Sequence, residues 1–195
     1  ASVTIRSDAV TACIGAHGDD DGGLLIVGTG SQGIVRRKGR FQRVGGWGFM
    51  LSDHGSAAVL GHAAARHALV AHEGAVADSL LSRRIMRRFG NSPRKMLTWS
   101  RTTTPGDWGA FSPLVFACAE SGDAAAQRLV DDAVGDVARL LDRMVALGAL
   151  RIALVGGLAA RYAERLPRRL TRRLVPAKRD ALAGAIDLAR AAAHP

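Results

Sequence analysis

The chain has 195 residues, 48% hydrophobic and 23% charged, a balance that fits a globular protein with length for one substantial core. No apolar run reaches the roughly 20 residues of a membrane-spanning helix, and the opening ASVTIRSDAV lacks the basic and apolar regions of a signal peptide, so a cytoplasmic protein is expected. The formal charge of +10, from 27 Lys and Arg against 17 Asp and Glu, would suit a polyanion-binding module, but aromatics are only 5% and never interleave with the arginines. Nucleic acid is therefore not an expected partner, and the clusters Arg83-Arg84/Arg87-Arg88 and Arg168-Arg169/Arg172-Arg173 read as solvated helix faces.

Ser2 to Arg6 alternates apolar and polar residues as a strand does, and a helix follows from about Ala9 to Ala16. Asp8 falls between them, either as a helix cap or at the strand end where α/β folds gather ligands. After an acidic, glycine-rich loop, Leu24 to Val27 is too short for a helix and rich enough in branched residues for a buried strand. It ends in Gly28-Thr29-Gly30-Ser31, a turn whose amides and hydroxyls can face an anion or a sugar hydroxyl, though a plain hairpin would read the same. Two further strands, Gly33 to Lys38 and Arg40 to Val44, are divided by Gly39 and imply a three-stranded meander. The meander delivers Gly45-Gly46-Trp47-Gly48, an indole bracketed by glycines, and then Asp53 ahead of an alanine-rich helix from Ala57 to Ala71. Asp53 is either the cap of that helix or an acceptor for polyol hydroxyls.

The chain then turns helical, with segments at Leu80 to Phe89, Arg94 to Ser100 and Trp108 to Glu120. His62, His67 and His72 recur every five residues and so march around a helix instead of sharing a face, which argues against a metal site. Cys13 and Cys118 have no metal-ligand spacing and read as reduced, packed thiols. Asp123 is expected to cap a long helix in which Leu129, Val130, Ala133, Val134, Val137, Leu140, Leu141, Met144 and Val145 recur at three and four residues, ending at Gly148. Arg151 to Val155 reads as a second buried strand, closed by Gly156-Gly157 before a helix from about Leu158. Leu174-Val175-Pro176 is expected as a last short strand and Asp180 as the start of the terminal helix.

GTGSQG followed by GGWGFMLSDHGS resembles the second half of the N-acetylglucosamine kinase and glucosamine kinase family, within the sugar kinase, Hsp70 and actin superfamily. The same grouping includes the ATPases that activate benzoyl-CoA reductase and 2-hydroxyacyl-CoA dehydratase. The resemblance, which runs nearly to the C-terminus, implies a ribonuclease H-like α/β ATPase lobe with a helical insertion. It further implies phosphorylation of an amino sugar at its 6-hydroxyl by ATP and Mg²⁺, with Asp8 as catalytic base and Thr29, within Gly28-Thr29-Gly30, on the phosphates. Ser31, Gln32, Gly46, Trp47, Gly48 and Asp53 would hold the hexosamine, and Gly156 and Gly157 would flank adenosine. The family's DGGGT-type turn has no counterpart here, so residues 1–195 are expected to be a C-terminal lobe, with the phosphate-binding and Mg²⁺-holding N-terminal lobe outside this chain. Gln32 stands where an asparagine is usual, and His54 stands in place of the glutamate of DEGS, which leaves the amino or acetyl preference open. A homodimer is compatible with the resemblance. The rival readings are an activator ATPase with an iron-sulfur cluster and a non-catalytic sugar-binding regulator.

Overall fold

A computed structural model describes residues 5–193. Helix α1 (Asp8–His17) is capped by Ser7, whose side chain accepts from the Val10 amide. Strands β1 (Gly22–Val27), β2 (Ser31–Arg37) and β3 (Arg40–Gly45) form the predicted antiparallel meander. Between β2 and β3, Lys38 and Gly39 both take left-handed conformations, φ 49° and 74°, the geometry that matches a two-residue hairpin to the strand twist. Helices α2 (Ala57–His72), α3 (Leu80–Arg88), α4 (Pro93–Ser100), α5 (Pro105–Gly109), α6 (Ser112–Glu120) and α7 (Ala124–Ala146) follow. The chain then returns as β4 (Ile152–Val155), which lies parallel to β1, and ends in α8 (Ala159–Ala163), α9 (Arg168–Thr171) and α10 (Ala181–Ala193).

The sheet order is β3-β2-β1-β4, and the alternation of side chains along each strand divides the core in two. Leu24, Ile34 and Ala153 point to the layer of α1, with Leu188 of α10 beside it. Leu25, Val27, Val35, Val44 and Ile152 point to the opposite layer, built on α2, α3, α6 and α7. Both faces of the sheet are thus covered by helices, as its central hydrophobic strand β1 requires. In the first layer α1 and α10 touch backbone to backbone: a Cβ on Gly15 would lie 1.9 Å from the Asp180 carbonyl oxygen, and one on Gly184 2.0 Å from that of Thr11.

Three expectations change. Leu174-Val175-Pro176 makes only an isolated parallel bridge, Ile152 to Leu174, in which the Ile152 amide donates to the Arg173 carbonyl at 2.8 Å and the Val175 amide to the Ile152 carbonyl at 2.9 Å. The Trp108–Glu120 segment divides near Phe111 into α5 and α6, each opened by a proline in its first turn, Pro105 and Pro113. The strand expected at Ser2 to Arg6 lies mostly outside the described residues, and Ile5 to Ser7 are not in a strand.

Candidate functional site at the carboxyl edge of the sheet

Because β1 and β4 are parallel, their carboxyl ends reach the same edge, and the antiparallel meander brings the start of β2 and the end of β3 to it as well. Such an edge is where open α/β sheets bind ligands. The Gly28–Ser31 turn is anchored here from below: the Ala57 amide donates to the Gly28 carbonyl at 2.8 Å and the Ala58 amide to that of Thr29 at 3.2 Å. The first amides of α2 are therefore spent on the turn and not offered to a ligand. Thr29 remains exposed, and the space beside the Gly28 α-carbon is empty, with no atom within 4 Å of where a Cβ would stand.

Asp53 is buried, 9% exposed, and it is not the cap of α2. That role belongs to Ser56, whose hydroxyl accepts from the Val59 amide at 3.2 Å. The Asp53 carboxylate instead leans on the turn, with Oδ2 2.9 Å from the position a Gly30 Cβ would occupy. The backbone of Asp53 is left-handed, φ 58°, an unfavourable conformation for a residue with a Cβ, which a fold keeps where the surroundings impose it. Ser31 is buried and donates its hydroxyl to the His54 carbonyl at 2.8 Å, tying the start of β2 to the same segment.

Gln32 packs against Gly46, where a Cβ would meet its Cγ at 2.6 Å and where φ is 73°, so glycine is needed on both counts. The Gln32 amide nitrogen is buried without a hydrogen-bond partner, an arrangement proteins avoid unless a ligand or water completes it. Trp47 is 68% exposed, with the Arg43 guanidinium 5.0 Å from its ring centre. At the end of β4, Gly156 has φ 106° and sits so close to β1 that a Cβ would meet the Val27 carbonyl oxygen at 2.3 Å, while Gly157 faces open space. Tyr162 of α8, fully buried, donates its hydroxyl to the Gly55 carbonyl at 2.7 Å and thereby couples the Gly156-Gly157 corner to the Asp53–Ser56 segment. Burial, with Asp136 adding to it, pushes the phenol far up, so the proton stays on Tyr162.

Asp8 is exposed at the first turn of α1, its carboxylate accepting from the Ala9 amide at 2.7 Å. The other end of α1 is fixed at the start of β1 by the His17 Nε2 to Gly23 carbonyl pair, 2.7 Å. The helix therefore runs back along the strand, and its length of about 15 Å against about 20 Å for β1 puts Asp8 at the same edge as the turn. The edge thus gathers Asp8, the Gly28–Ser31 turn, Gln32, the Gly46–Gly48 loop, Asp53 and the Gly156-Gly157 corner.

The cysteines lie elsewhere, Cys13 inside α1 and Cys118 inside α6. Burial pushes the Cys13 thiol up to about 11 despite the Arg36 guanidinium, and burial raises Cys118 as well. Among the described residues no group of three His, Cys, Asp or Glu side chains could hold a metal ion, and no helix is long and apolar enough to cross a membrane. Several of the arginines are exposed and paired, as in Arg161–Glu120, Arg165–Asp131 and Arg83–Asp78.

A large apolar groove beside the site is barely legible in the sequence. Trp47 to Leu51, one face of α2, and α4 and α5 enclose about 770 Å³, with His62 edge-on between Phe49 and Trp108 at 5.6 and 4.8 Å. Its only sequence signal is the apolar triplet Phe49-Met50-Leu51 directly after the glycine-bracketed tryptophan.

A sequence profile of the BadF/BadG/BcrA/BcrD ATPase family matches residues 1–181. Glucosamine kinase GspK of Vibrio cholerae is 36% identical over 194 residues, covering 100% of this chain and 66% of that protein. An N-acetyl-D-glucosamine kinase of Dictyostelium discoideum is 28% identical over 148 residues, 73% of this chain and 46% of its own length. A solved structure of a proposed N-acetylglucosamine kinase from Chromobacterium violaceum superimposes with a TM-score of 0.84 at 31% identity, over 92% of this chain and 63% of that one. The chain thus spans no more than about two thirds of the length of these relatives.

Proposed function

The chain belongs to the BadF/BadG/BcrA/BcrD ATPase family, and from that premise we propose that it forms the C-terminal lobe of an ATP-dependent kinase acting on the 6-hydroxyl of glucosamine or N-acetylglucosamine. The observation that carries this reading is the pairing of Asp53 with Gly30. A buried carboxylate that caps no helix and is aimed across a glycine-rich turn, with the unpartnered amide of Gln32 on the strand that leaves that turn, is an acceptor and donor set suited to sugar hydroxyls. The names of the relatives point to the same substrate class.

In the proposed reaction Asp8 takes the proton of the 6-hydroxyl as the oxygen attacks the γ-phosphorus, and the bond to the β,γ-bridging oxygen breaks to release ADP. Thr29, exposed on the turn, would hydrogen-bond the phosphates, and the open faces of Gly28 and Gly157 leave room for close approach of the nucleotide. Gly156 would flank adenosine beside Gly157. Ser31, Gln32, Gly46, Trp47, Gly48 and Asp53 would orient the sugar, which is most of what phosphoryl transfer asks of a protein. Mg²⁺ is the expected partner of ATP in such chemistry; it is commonly held by one or two carboxylates together with the phosphates, and among the described residues no group of three His, Cys, Asp or Glu side chains is assembled for it. A cytoplasmic setting accords with ATP as donor and with two buried, protonated thiols. The reading is tested by sugar-dependent ADP release from the natural full-length protein, with glucosamine and N-acetylglucosamine compared. Absence of sugar-dependent ADP with both would defeat it.

A further inference from the structure

The groove beside Trp47 is out of character with the rest of the surface. The protein is strongly cationic, yet Met50 is 86%, Leu51 82% and Leu97 55% exposed around one concavity, and exposed apolar residues clustered in this way mark a binding site. Its volume of about 770 Å³ falls inside the range of small-molecule sites, and its walls, among them Phe49, Met96 and Trp108, are apolar with a few polar groups, His62, Ser100 and Thr103. Burial, then the neighbouring Arg66, holds the His62 imidazole below its ordinary value, so the ring is neutral and can exchange a hydrogen bond without bringing a charge into the groove.

Trp47 and Gly48 belong to both the groove and the segment proposed to hold the sugar. Asp8 stands on the α1 side of the sheet and the groove is built on α2, on the other side, so a sugar lying across the edge has Asp8 toward one end and the groove toward the other. In a pyranose, C2 and C5 are opposite corners of the ring. A sugar that offers its 6-hydroxyl to Asp8 therefore sends its amino substituent away from Asp8.

We propose that the groove lined by Trp47, Phe49, Leu51, Met96, Leu97 and Trp108 receives an acyl chain larger than acetyl on the amino nitrogen of the sugar substrate. The inference rests on the kinase reading above and narrows its substrate class to N-acylated hexosamines with an apolar acyl group. An acetyl group would leave most of the concavity as uncovered apolar surface, whereas each further methylene buried should tighten binding about fourfold.

The experiment measures dissociation constants by calorimetry for glucosamine and its N-acetyl, N-butanoyl and N-hexanoyl derivatives on the natural full-length protein, alongside phosphorylation of each. N-hexanoylglucosamine is expected to bind more than about tenfold tighter than N-acetylglucosamine. Leu97→Glu and, separately, Leu51→Glu, both at exposed positions that folding does not depend on, are expected to cancel that gain while leaving glucosamine affinity within about twofold. Affinity that is flat or falls along the series, or a gain untouched in both variants, overturns the assignment of the groove. If glucosamine is phosphorylated and only the acyl gain is missing, the groove assignment alone falls. If no sugar in the series binds or is phosphorylated, the kinase reading falls and takes this one with it.

Discussion

The carboxylate of Asp53 rests against the bare α-carbon of Gly30, with Oδ2 2.9 Å from the place where any other residue at position 30 would carry its Cβ. The turn and the acid are therefore fitted to each other, and each constrains what the other can be.

In the natural full-length protein, amino-sugar binding should alter tryptophan emission through the exposed Trp47, and Asp53→Ala should remove that response by deleting a buried acceptor for sugar hydroxyls. Gly30→Ala, which must displace the same carboxylate, should weaken sugar binding by roughly tenfold or more, since one misdirected charge-assisted hydrogen bond is worth about 1.5–3 kcal/mol. A sugar response unchanged in both variants would remove Asp53 from the site.

Asp8→Asn should lose turnover while sugar affinity changes little, because a base acts in the transition state and adds less to ground-state binding. Asp8 is exposed and the only hydrogen bond of its side chain among the described residues is from the neighbouring Ala9 amide, so the variant should fold like the wild type. Steady-state kinetics beside a melting curve would separate the two effects, and turnover near wild type would exclude Asp8 as the base.

Asp123 caps α7 by accepting from the Ala126 amide and also accepts from the Leu81 amide in the first turn of α3, whose own cap is Ser79, each at 2.9 Å. At about 1 kcal/mol for each of these hydrogen bonds, Asp123→Ala should cost about 2 kcal/mol and lower Tm by roughly 4–8 °C. Burial pushes the carboxyl upward, but the amide hydrogen bonds from Ala126 and Leu81 outweigh it, and the folded value ends below the ordinary one. The stabilisation is therefore fully present above about pH 4 and is lost as pH falls through the depressed folded value. Calorimetry of wild type and variant should give melting curves that converge as the buffer is acidified below that range.

Both thiols should resist modification in the native protein, because burial raises Cys13 and Cys118 and little thiolate is present at neutral pH. An aromatic disulfide reagent at pH 8 should label neither until denaturant is added. Rapid labelling of the folded protein would show that α1 or α6 opens far more readily than its packing implies.

Much of this architecture is legible in the sequence because local rules decide it. The branched run Leu24–Val27 with its glycine turn, the three- and four-residue spacing from Leu129 to Val145, and the Gly33–Val44 hairpin each agree with their own neighbourhood. What escapes is set by distant partners. Asp53 is compatible with either a cap or a ligand until Ser56 is seen to take the cap. Asp123 predicts one helix start, while its second partner, Leu81, lies 42 positions away. Gln32 gives no hint of burial until Gly46 folds over it, and the groove is assembled from a loop and three helices, none of which is unusual alone. Leu174–Pro176 misleads for the opposite reason: its residues favour a strand, but the chain stays beside β4 for a single bridge.

The interlocking of Gly15 with Asp180 and of Gly184 with Thr11 has a consequence for biosynthesis. Helix α1, which carries Asp8, has its outer face covered by α10, so its buried surface cannot be sealed until the ribosome has finished nearly everything between them. At about 5–20 residues per second that interval is on the order of ten seconds, during which α1 has the sheet on one side and nothing on the other. The β1–β3 meander and the helices from α2 to α7 can consolidate meanwhile on the opposite face. Helix α1, with Asp8 in its first turn, would thus be the last element beside the sheet to acquire its final setting.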